Sequence, residues 1–185
     1  EEAGIVIPPK DYSGSTMGNL PIGQGLSVTP IQMAAAYAAI ANRGVWVRPH
    51  LVDHVGDGNA MRPARRRIVS RWVASQLMAM LKNVVAEGTG ALAVVPGYQV
   101  AGKTGTAAKP DSRGGYSDSR YVASFVGVVP ASRPRLVILV SVDEPRGAIW
   151  GGVVAAPAFA QIAKFDLQYL DGGVQPDAPA TAATP

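Results

Sequence analysis

The spacing of apolar residues along the chain predicts three helices. An almost wholly apolar run predicts a helix over 29–43 that is buried on most sides, with Thr29 as its N-cap. Apolar positions at helical spacing predict a second helix over 70–87, which a glycine-rich turn terminates. A third helix is predicted over 155–170, where a proline in the first turn is tolerated.

Runs of valine, isoleucine and leucine predict strands, most of them between the second and third helices. The predicted strands cover 45–52, 97–106, 121–129 and 135–143. A short connection between Pro130 and Pro134 suits an antiparallel hairpin, whereas 56–67 is polar, rich in arginine and predicted to be a loop. Short antiparallel strands flanked by helices predict an α/β chain of the α+β type, with helices layered on a sheet.

Length and composition restrict the function classes that need to be considered. The 185 residues are enough for one domain with a hydrophobic core, and the chain carries a formal net charge of +4. It lacks a dense lysine and arginine block with interleaved aromatic residues, so no nucleic-acid partner is expected. Cysteine is absent, which excludes disulfides and thiolate metal sites, and no apolar run of about 18 residues predicts a membrane span.

Two histidines offer a metal site as an alternative. His50 and His54 are four residues apart with Asp53 beside the second, a spacing that could bind zinc on a helix. Pro49 and the apolar neighbours favour a strand, in which the two imidazoles would be far apart. We therefore expect neither a metal nor another cofactor.

The most informative motif is Lys103-Thr104-Gly105, followed by Thr106, at the end of a predicted strand. Lysine provides a positive charge, the threonines provide hydroxyl groups, and glycine lets another backbone approach closely. Such a strand suits a peptide that ends in a carboxylate. Side-chain alternation puts Thr104 and Thr106 on one face and Lys103 on the other, so the lysine must reach round an exposed edge strand to share a site with them.

A polar strand end before a turn would explain the triplet alone, but further segments match a family pattern in the same order. Residues 18–52 contain Gly-Gln-Gly, Thr-Pro, Ala-Ile-Ala-Asn and Arg-Pro, and 86–107 contain Glu-Gly-Thr-Gly before the triplet. Residues 125–130 and 151–159 continue the pattern. From about residue 15 to 170, the chain resembles the class B penicillin-binding proteins, the D,D-transpeptidases that cross-link peptidoglycan.

This resemblance implies the serine β-lactamase/transpeptidase fold, in which helices cover an antiparallel sheet and a helical lobe carries the nucleophile. It implies catalytic roles for Lys103, which would organise the polar network around the nucleophile, and for Thr106, whose backbone N–H would form half of an oxyanion hole. Thr104, with Gly105 and Thr106, would bind the substrate, which is a D-Ala-D-Ala stem peptide of peptidoglycan or a β-lactam antibiotic. Thr104 would hydrogen-bond the carboxylate of that substrate, and Gly105 would allow its backbone to approach.

The sequence departs from this family at one essential point. It contains no Ser-x-x-Lys and no Ser-x-Asn of the family type, which are the nucleophile with its base and the second polar motif. We therefore expect residues 1–170 to be the C-terminal part of a transpeptidase domain, with the nucleophile on an upstream part of the same polypeptide. Residues 171–185 are expected to be a flexible tail rich in proline, alanine and threonine. Alone, the chain is expected to be inactive.

Family analogy adds a location and partners. It places the site at the extracytoplasmic face of the bacterial membrane, with an anchor outside this sequence and a membrane polymerase of the division or elongation machinery as partner. The cross-linking would serve cell division or cell shape. Two alternatives remain open: a β-lactamase or β-lactam sensor, which the segment at 18–52 disfavours, and a non-catalytic partner-binding module that retains the fold.

Overall fold

The computed structural model describes residues 2–56, 60, 62–112, 114–170 and 174–177. Its strands are β1 (Ile5–Val6), β2 (Leu26–Ser27), β3 (Val45–Val47), β4 (Arg65–Arg67), β5 (Ala101–Pro110), β6 (Tyr116–Val129) and β7 (Leu136–Asp143). Its helices are α1 (Thr16–Asn19), α2 (Pro30–Ala41), α3 (Arg71–Ala86), α4 (Gly151–Val154) and α5 (Ala156–Tyr169).

Side-chain caps fix the starts of two of the predicted helices. The Thr29 hydroxyl accepts a hydrogen bond from the backbone N–H of Gln32 at 3.2 Å, and the Gln32 side-chain oxygen accepts from the Thr29 N–H at 2.9 Å. Helix α3 begins in a similar way at Ser70, whose hydroxyl accepts from the Val73 N–H at 3.1 Å. The three predicted helices are confirmed as α2, α3 and α5.

A three-stranded antiparallel sheet of order β5-β6-β7 forms the centre of the chain. The β5–β6 hairpin is longer than predicted, because β5 continues beyond residue 106 to Pro110 and β6 begins at Tyr116 instead of 121. The register of the β5–β6 pairing shifts between Ala108 and Pro110, and beyond this shift Pro110 pairs with Tyr116. Backbone pairing with the neighbouring strand satisfies the N–H and C=O groups of each residue. Polar residues can therefore extend the hairpin even where apolar and polar side chains do not alternate.

Two short ribbons lie apart from this sheet, β1 paired with β2 and β3 paired with β4. Strand β3 is shorter than the predicted strand over 45–52. Strand β4 falls at the end of the segment predicted to be a loop, so that prediction is wrong for 65–67. The three arginines satisfy their backbone groups by pairing with β3, a distant partner that local composition does not reveal. Residues 57–59 and 61 of the predicted loop lie outside the described residues.

Helices pack on the sheet, as the sequence predicts, and they cover both of its faces. On one face, Phe125 of β6 and Phe159 of α5 are fully buried and form an edge-to-face pair, with ring centroids 4.9 Å apart. Gly127 leaves room for this pair, since a Cβ there would come within 2.6 Å of the Phe159 ring. On the other face, Leu81 of α3 and partly buried side chains of α2 pack against Ala101 of β5.

Four residues near the C-terminus lie against the body of the chain. The predicted tail over 171–185 lies outside the described residues, except for 174–177. There the Tyr98 hydroxyl donates to the backbone oxygen of Val174 at 2.6 Å, and the backbone N–H of Gln99 donates to a carboxylate oxygen of Asp177 at 2.6 Å. These bonds hold 174–177 beside the turn that precedes β5.

Strand β5 forms one edge of the central sheet. Within the described ranges it pairs with β6 alone, while α3 and α4 pack beside it. The backbone of β5 on the side away from β6 is therefore not paired with any described strand. Because β5 is an edge strand, the Lys103 side chain can pass round its open side towards the threonines.

Candidate functional site

Lys103 and Thr104 of the triplet, and Thr106 after it, lie together on the β5 edge. Thr104 is paired with Phe125 of β6, and Thr106 follows two residues later, so both threonines belong to the sheet face that carries Phe125. Lys103 is exposed, and its ammonium nitrogen lies 3.0 Å from the Thr104 carbonyl oxygen and 3.4 Å from the Thr104 hydroxyl oxygen. The Lys103 side chain leaves the strand on the face opposite to that of the Thr104 side chain. It is long enough to bend round the strand edge and bring its ammonium group to Thr104.

A second hydroxyl group lies against Thr104. The side-chain oxygens of Thr89 and Thr104 are 2.9 Å apart, which is hydrogen-bonding distance. Thr89 belongs to the turn after α3, which the sequence predicts only as a helix end and as part of a family pattern. In the sequence, the sign that Thr89 could belong to a site is its hydroxyl group between Gly88 and Gly90. Nothing in the residue spacing connects that hydroxyl with Thr104, fifteen residues later.

The start of α4 closes the other end of the site. The backbone N–H of Gly151 donates to the Thr106 hydroxyl oxygen at 3.2 Å. Gly151 also lies directly against the sheet backbone, because a Cβ there would overlap the carbonyl oxygens of Ser124 and Gly105. Gly152 lies equally close to the turn after α3, since its Cβ would overlap the carbonyl oxygen of Thr89. Two consecutive glycines therefore allow α4 to pack between that turn and β5.

These elements enclose a groove of about 300 Å³ in front of β5, called the β5 groove below. It is lined by Thr89, Ala91, Leu92, Thr104, Thr106, Trp150, Gly151, Gly152 and Val153. Its walls are mostly apolar, and among the lining residues that the structure describes the side-chain hydrogen-bonding groups are three threonine hydroxyls and the Trp150 indole N–H. An apolar groove with a few convergent polar groups is typical of a small-molecule or peptide site.

Two larger cavities lie elsewhere and do not contain the triplet. One of about 420 Å³ lies between α2 and the β3–β4 ribbon, and one of about 640 Å³ lies between α3 and the turn after β6. Size alone would favour them, but neither contains the lysine–threonine motif. We assign the candidate site to the β5 groove because Thr104 and Thr106 line it and the Lys103 ammonium group lies beside Thr104.

Lysine and acid side chains also meet at the far end of the hairpin. Asp143 ends β7 and Glu144 follows it, and both bind Lys109 of β5, whose ammonium nitrogen is 2.7 Å from Asp143 and 2.8 Å from Glu144. Hydrogen bonds to the Asp143 and Glu144 side chains raise the pKa of Lys109 from its ordinary value of 10.5. This cluster ties β5 to the end of β7 across β6.

We expect Lys109→Met to lower the melting temperature by less than about 3 °C, because these ion pairs are exposed to water. A raised lysine pKa means that the pair's contribution is complete below 10.5 and is lost as the pH rises through the higher folded-state value. Thermal unfolding of the two proteins between about pH 7 and pH 9 should give a constant difference, which shrinks in about 1 M salt. A difference independent of salt would argue against an ionic origin.

The remaining candidate groups have separate surroundings. The Nδ1 of His50 lies 3.1 Å from the Arg48 carbonyl oxygen, and the Nδ1 of His54 lies 3.3 Å from an Asp53 carboxylate oxygen. Among the described residues, no three histidine, cysteine or acidic side chains are grouped as metal ligands. None of the helices in the described part of the chain is both long and apolar enough to cross a bilayer.

The fold and the groove define a class of protein. An antiparallel sheet covered by helices, with Lys-Thr-Gly on its edge strand beside a groove, is the arrangement of penicillin-interacting serine acyl-transfer proteins. The sequence matches the family described as the penicillin binding protein transpeptidase domain over residues 1–164. The chain belongs to this family.

Individual relatives agree with the family match. Penicillin-binding protein PbpB of Mycolicibacterium smegmatis is 42% identical over 192 residues, which cover 96% of this chain and 30% of the relative. Stage V sporulation protein D of Bacillus subtilis is 39% identical, covering 95% of this chain and 28% of the relative. The chain therefore spans about 30% of the length of the curated relatives it matches.

Solved structures confirm the predicted fold. Penicillin binding protein 3 from Mycobacterium tuberculosis, complexed with ampicillin, superposes with a TM-score of 0.86 at 42% identity, covering 97% of this chain and 43% of that one. The transpeptidase domain of penicillin-binding protein 3 from Burkholderia pseudomallei gives a TM-score of 0.83 at 40% identity, covering 96% of this chain and 53% of that one. The resemblance to class B penicillin-binding proteins is confirmed.

Proposed function

We propose that residues 1–170 form the C-terminal part of a peptidoglycan D,D-transpeptidase domain and supply the carboxylate-binding and oxyanion side of its site. The observation that carries this proposal is the convergence of Lys103, Thr104 and Thr106 on an edge strand beside the β5 groove. The family membership of the chain supports the same reaction class.

The positive end of the site would bind the carboxylate of the substrate. The Lys103 ammonium group lies against the Thr104 carbonyl and hydroxyl oxygens, so charge and a hydroxyl donor are presented together. A D-Ala-D-Ala stem peptide ends in a carboxylate, and hydrogen bonds to an ionised group are about twice as strong as neutral ones. The peptide backbone would lie along the open edge of β5 as an added strand, which Gly105 allows to approach closely.

Acyl transfer needs a nucleophile in addition to this surface. A serine from a part of the protein beyond these 185 residues would attack the carbonyl carbon of the penultimate D-alanine, and a lysine beside it would accept the hydroxyl proton. The backbone N–H of Thr106 and that of the serine would stabilise the oxyanion. D-alanine leaves with a proton, and an amine of a neighbouring stem then attacks the ester and releases the serine.

The same surface would accept β-lactam antibiotics, which carry a carboxylate beside a reactive carbonyl. The ampicillin and aztreonam complexes of the Mycobacterium tuberculosis relative support this part of the proposal. The site would act at the extracytoplasmic face of the bacterial membrane, next to a membrane polymerase of the division or elongation machinery. It would need no metal or other cofactor.

The proposal is tested with the longer protein that contains this chain. We expect a fluorescent penicillin to form a stable adduct on a serine outside residues 1–185, which peptide mass spectrometry locates, and ampicillin to block the labelling. The protein should also release D-alanine from a D-Ala-D-Ala peptide when an acceptor amine is present. Rapid hydrolysis of a chromogenic β-lactam would instead indicate a β-lactamase, and absence of any adduct would indicate a non-catalytic module.

A further inference from the structure

We propose that Thr89 is a positioning residue that orients the Thr104 hydroxyl, so that its proton points at the carboxylate of the ligand in the β5 groove. This inference rests on the proposed function, because it concerns how that site recognises a carboxylate. It adds a residue from outside the Lys-Thr-Gly motif, contributed by the turn after α3.

The hydrogen bonds around Thr104 carry the argument. A threonine hydroxyl has one proton to donate and two lone pairs that can accept. The Lys103 ammonium group, which can only donate, lies 3.4 Å from the Thr104 hydroxyl oxygen, and the Thr89 hydroxyl lies 2.9 Å from it. With both neighbours donating, the lone pairs of Thr104 are occupied and its proton is directed to a third partner.

A bound carboxylate fixes the direction of the chain of hydrogen bonds. The carboxylate only accepts, so Thr104 donates to it, and the bond between the two threonines must then run from Thr89 to Thr104. Hydrogen bonds arranged in such a chain strengthen one another. Without the Thr89 hydroxyl, the Thr104 proton is less strongly oriented and the oxygen is less polarised.

The backbone around Thr89 is held in place from two sides. The N–H of the next residue, Gly90, donates to the Val84 carbonyl oxygen at 2.9 Å, which fixes the turn to the end of α3. On the other side Gly152 of α4 packs so closely on the Thr89 carbonyl oxygen that no side chain would fit there. The Thr89 side chain itself is exposed at the groove, so it can be replaced without disturbing the core.

A purely structural role for this bond makes a different prediction. If the two hydroxyls only tied the turn to the strand, losing one would lower stability and slow the reaction with every ligand alike. A positioning role affects ligands that carry the carboxylate and spares those in which it is masked. The comparison of a free acid with its ester separates the two roles.

The test uses the longer protein with its nucleophile and measures second-order acylation rate constants for benzylpenicillin and for its methyl ester. We expect Thr89→Val, which keeps the shape and removes the hydroxyl, to slow the free acid about tenfold and the ester less than about twofold. Thr89→Ser keeps the hydroxyl and should react like the wild type with both. Thr89→Ala should repeat the valine result and guards against a poorly folded valine variant.

Each other outcome overturns the inference. If the wild type reacts and Thr89→Val slows the acid and the ester equally, or slows neither, the role of Thr89 is overturned. The proposed function then still stands. Equal acylation of the wild type by acid and ester would show that the carboxylate is not recognised. A wild type that neither ligand acylates would overturn the proposed function as well.

Discussion

Replacing Lys103 by alanine should slow acylation of the longer protein by a fluorescent penicillin at least about 100-fold, with almost no change in melting temperature. The ammonium group is the one positive charge placed against Thr104 among the described residues, so its loss removes the charge that attracts the ligand carboxylate. The Lys103 side chain is exposed and its described bonds are confined to Thr104. Its removal therefore leaves the packing of the sheet unchanged.

A matched control separates this effect from a general loss of charge. Lys164 lies exposed on α5, away from the β5 groove, and Lys164→Ala removes the same charge from the chain. We expect normal labelling of the Lys164 variant. Wild-type labelling of Lys103→Ala would contradict the role assigned to the lysine, and a large fall in its melting temperature would mean that the side chain supports the fold instead.

Gly151→Ala should both destabilise the chain and damage the site. The added methyl group would overlap the backbone oxygens of Ser124 and Gly105, which are held in the β5–β6 ladder and cannot move aside as a flexible side chain would. Overpacking of this kind costs about 1–3 kcal/mol, which corresponds to a fall of roughly 3–10 °C in melting temperature. Moving α4 also breaks the bond from the Gly151 N–H to Thr106, so acylation should slow even below the melting temperature.

Gly18→Ala is the matched control for that experiment. Apart from its chain neighbours and the backbone of its own helix, no heavy atom of the described residues lies within 4 Å of a Cβ at Gly18, so the same substitution meets open space. We expect thermal unfolding and acylation of this variant to match the wild type. A Gly151→Ala variant with unchanged melting temperature and unchanged acylation would show that α4 does not pack on β5 as described.

Local sequence signals predict the parts of the fold that depend on neighbouring residues. Thr29 and Ser70 cap helices, and α2 and α3 begin directly after these two residues. The apolar runs of β6 and β7 are equally local signals, and their pairing follows from the short turn between them. For the site, the alternation of Lys103 with Thr104 predicts an edge strand, and the structure confirms that edge.

The remaining features depend on contacts between residues far apart in the chain. Strand β4 forms because three arginines pair with β3 about twenty residues earlier, and composition alone indicates a loop. Thr89 joins the site because α3 ends beside β5, and Gly151 joins it through a bond to a residue 45 positions earlier. Such contacts follow from the packed fold, which periodicity and capping do not determine.

The central claim is that the β5 edge binds the carboxylate of an acylating ligand beside a serine from another part of the protein. A crystal structure of the longer protein after reaction with benzylpenicillin tests it most directly. We predict a ligand carboxylate oxygen about 3 Å from the Thr104 hydroxyl and the ligand carbonyl oxygen about 3 Å from the Thr106 backbone nitrogen. A carboxylate bound away from β5, or a β5 edge covered by other packed side chains, would contradict the account.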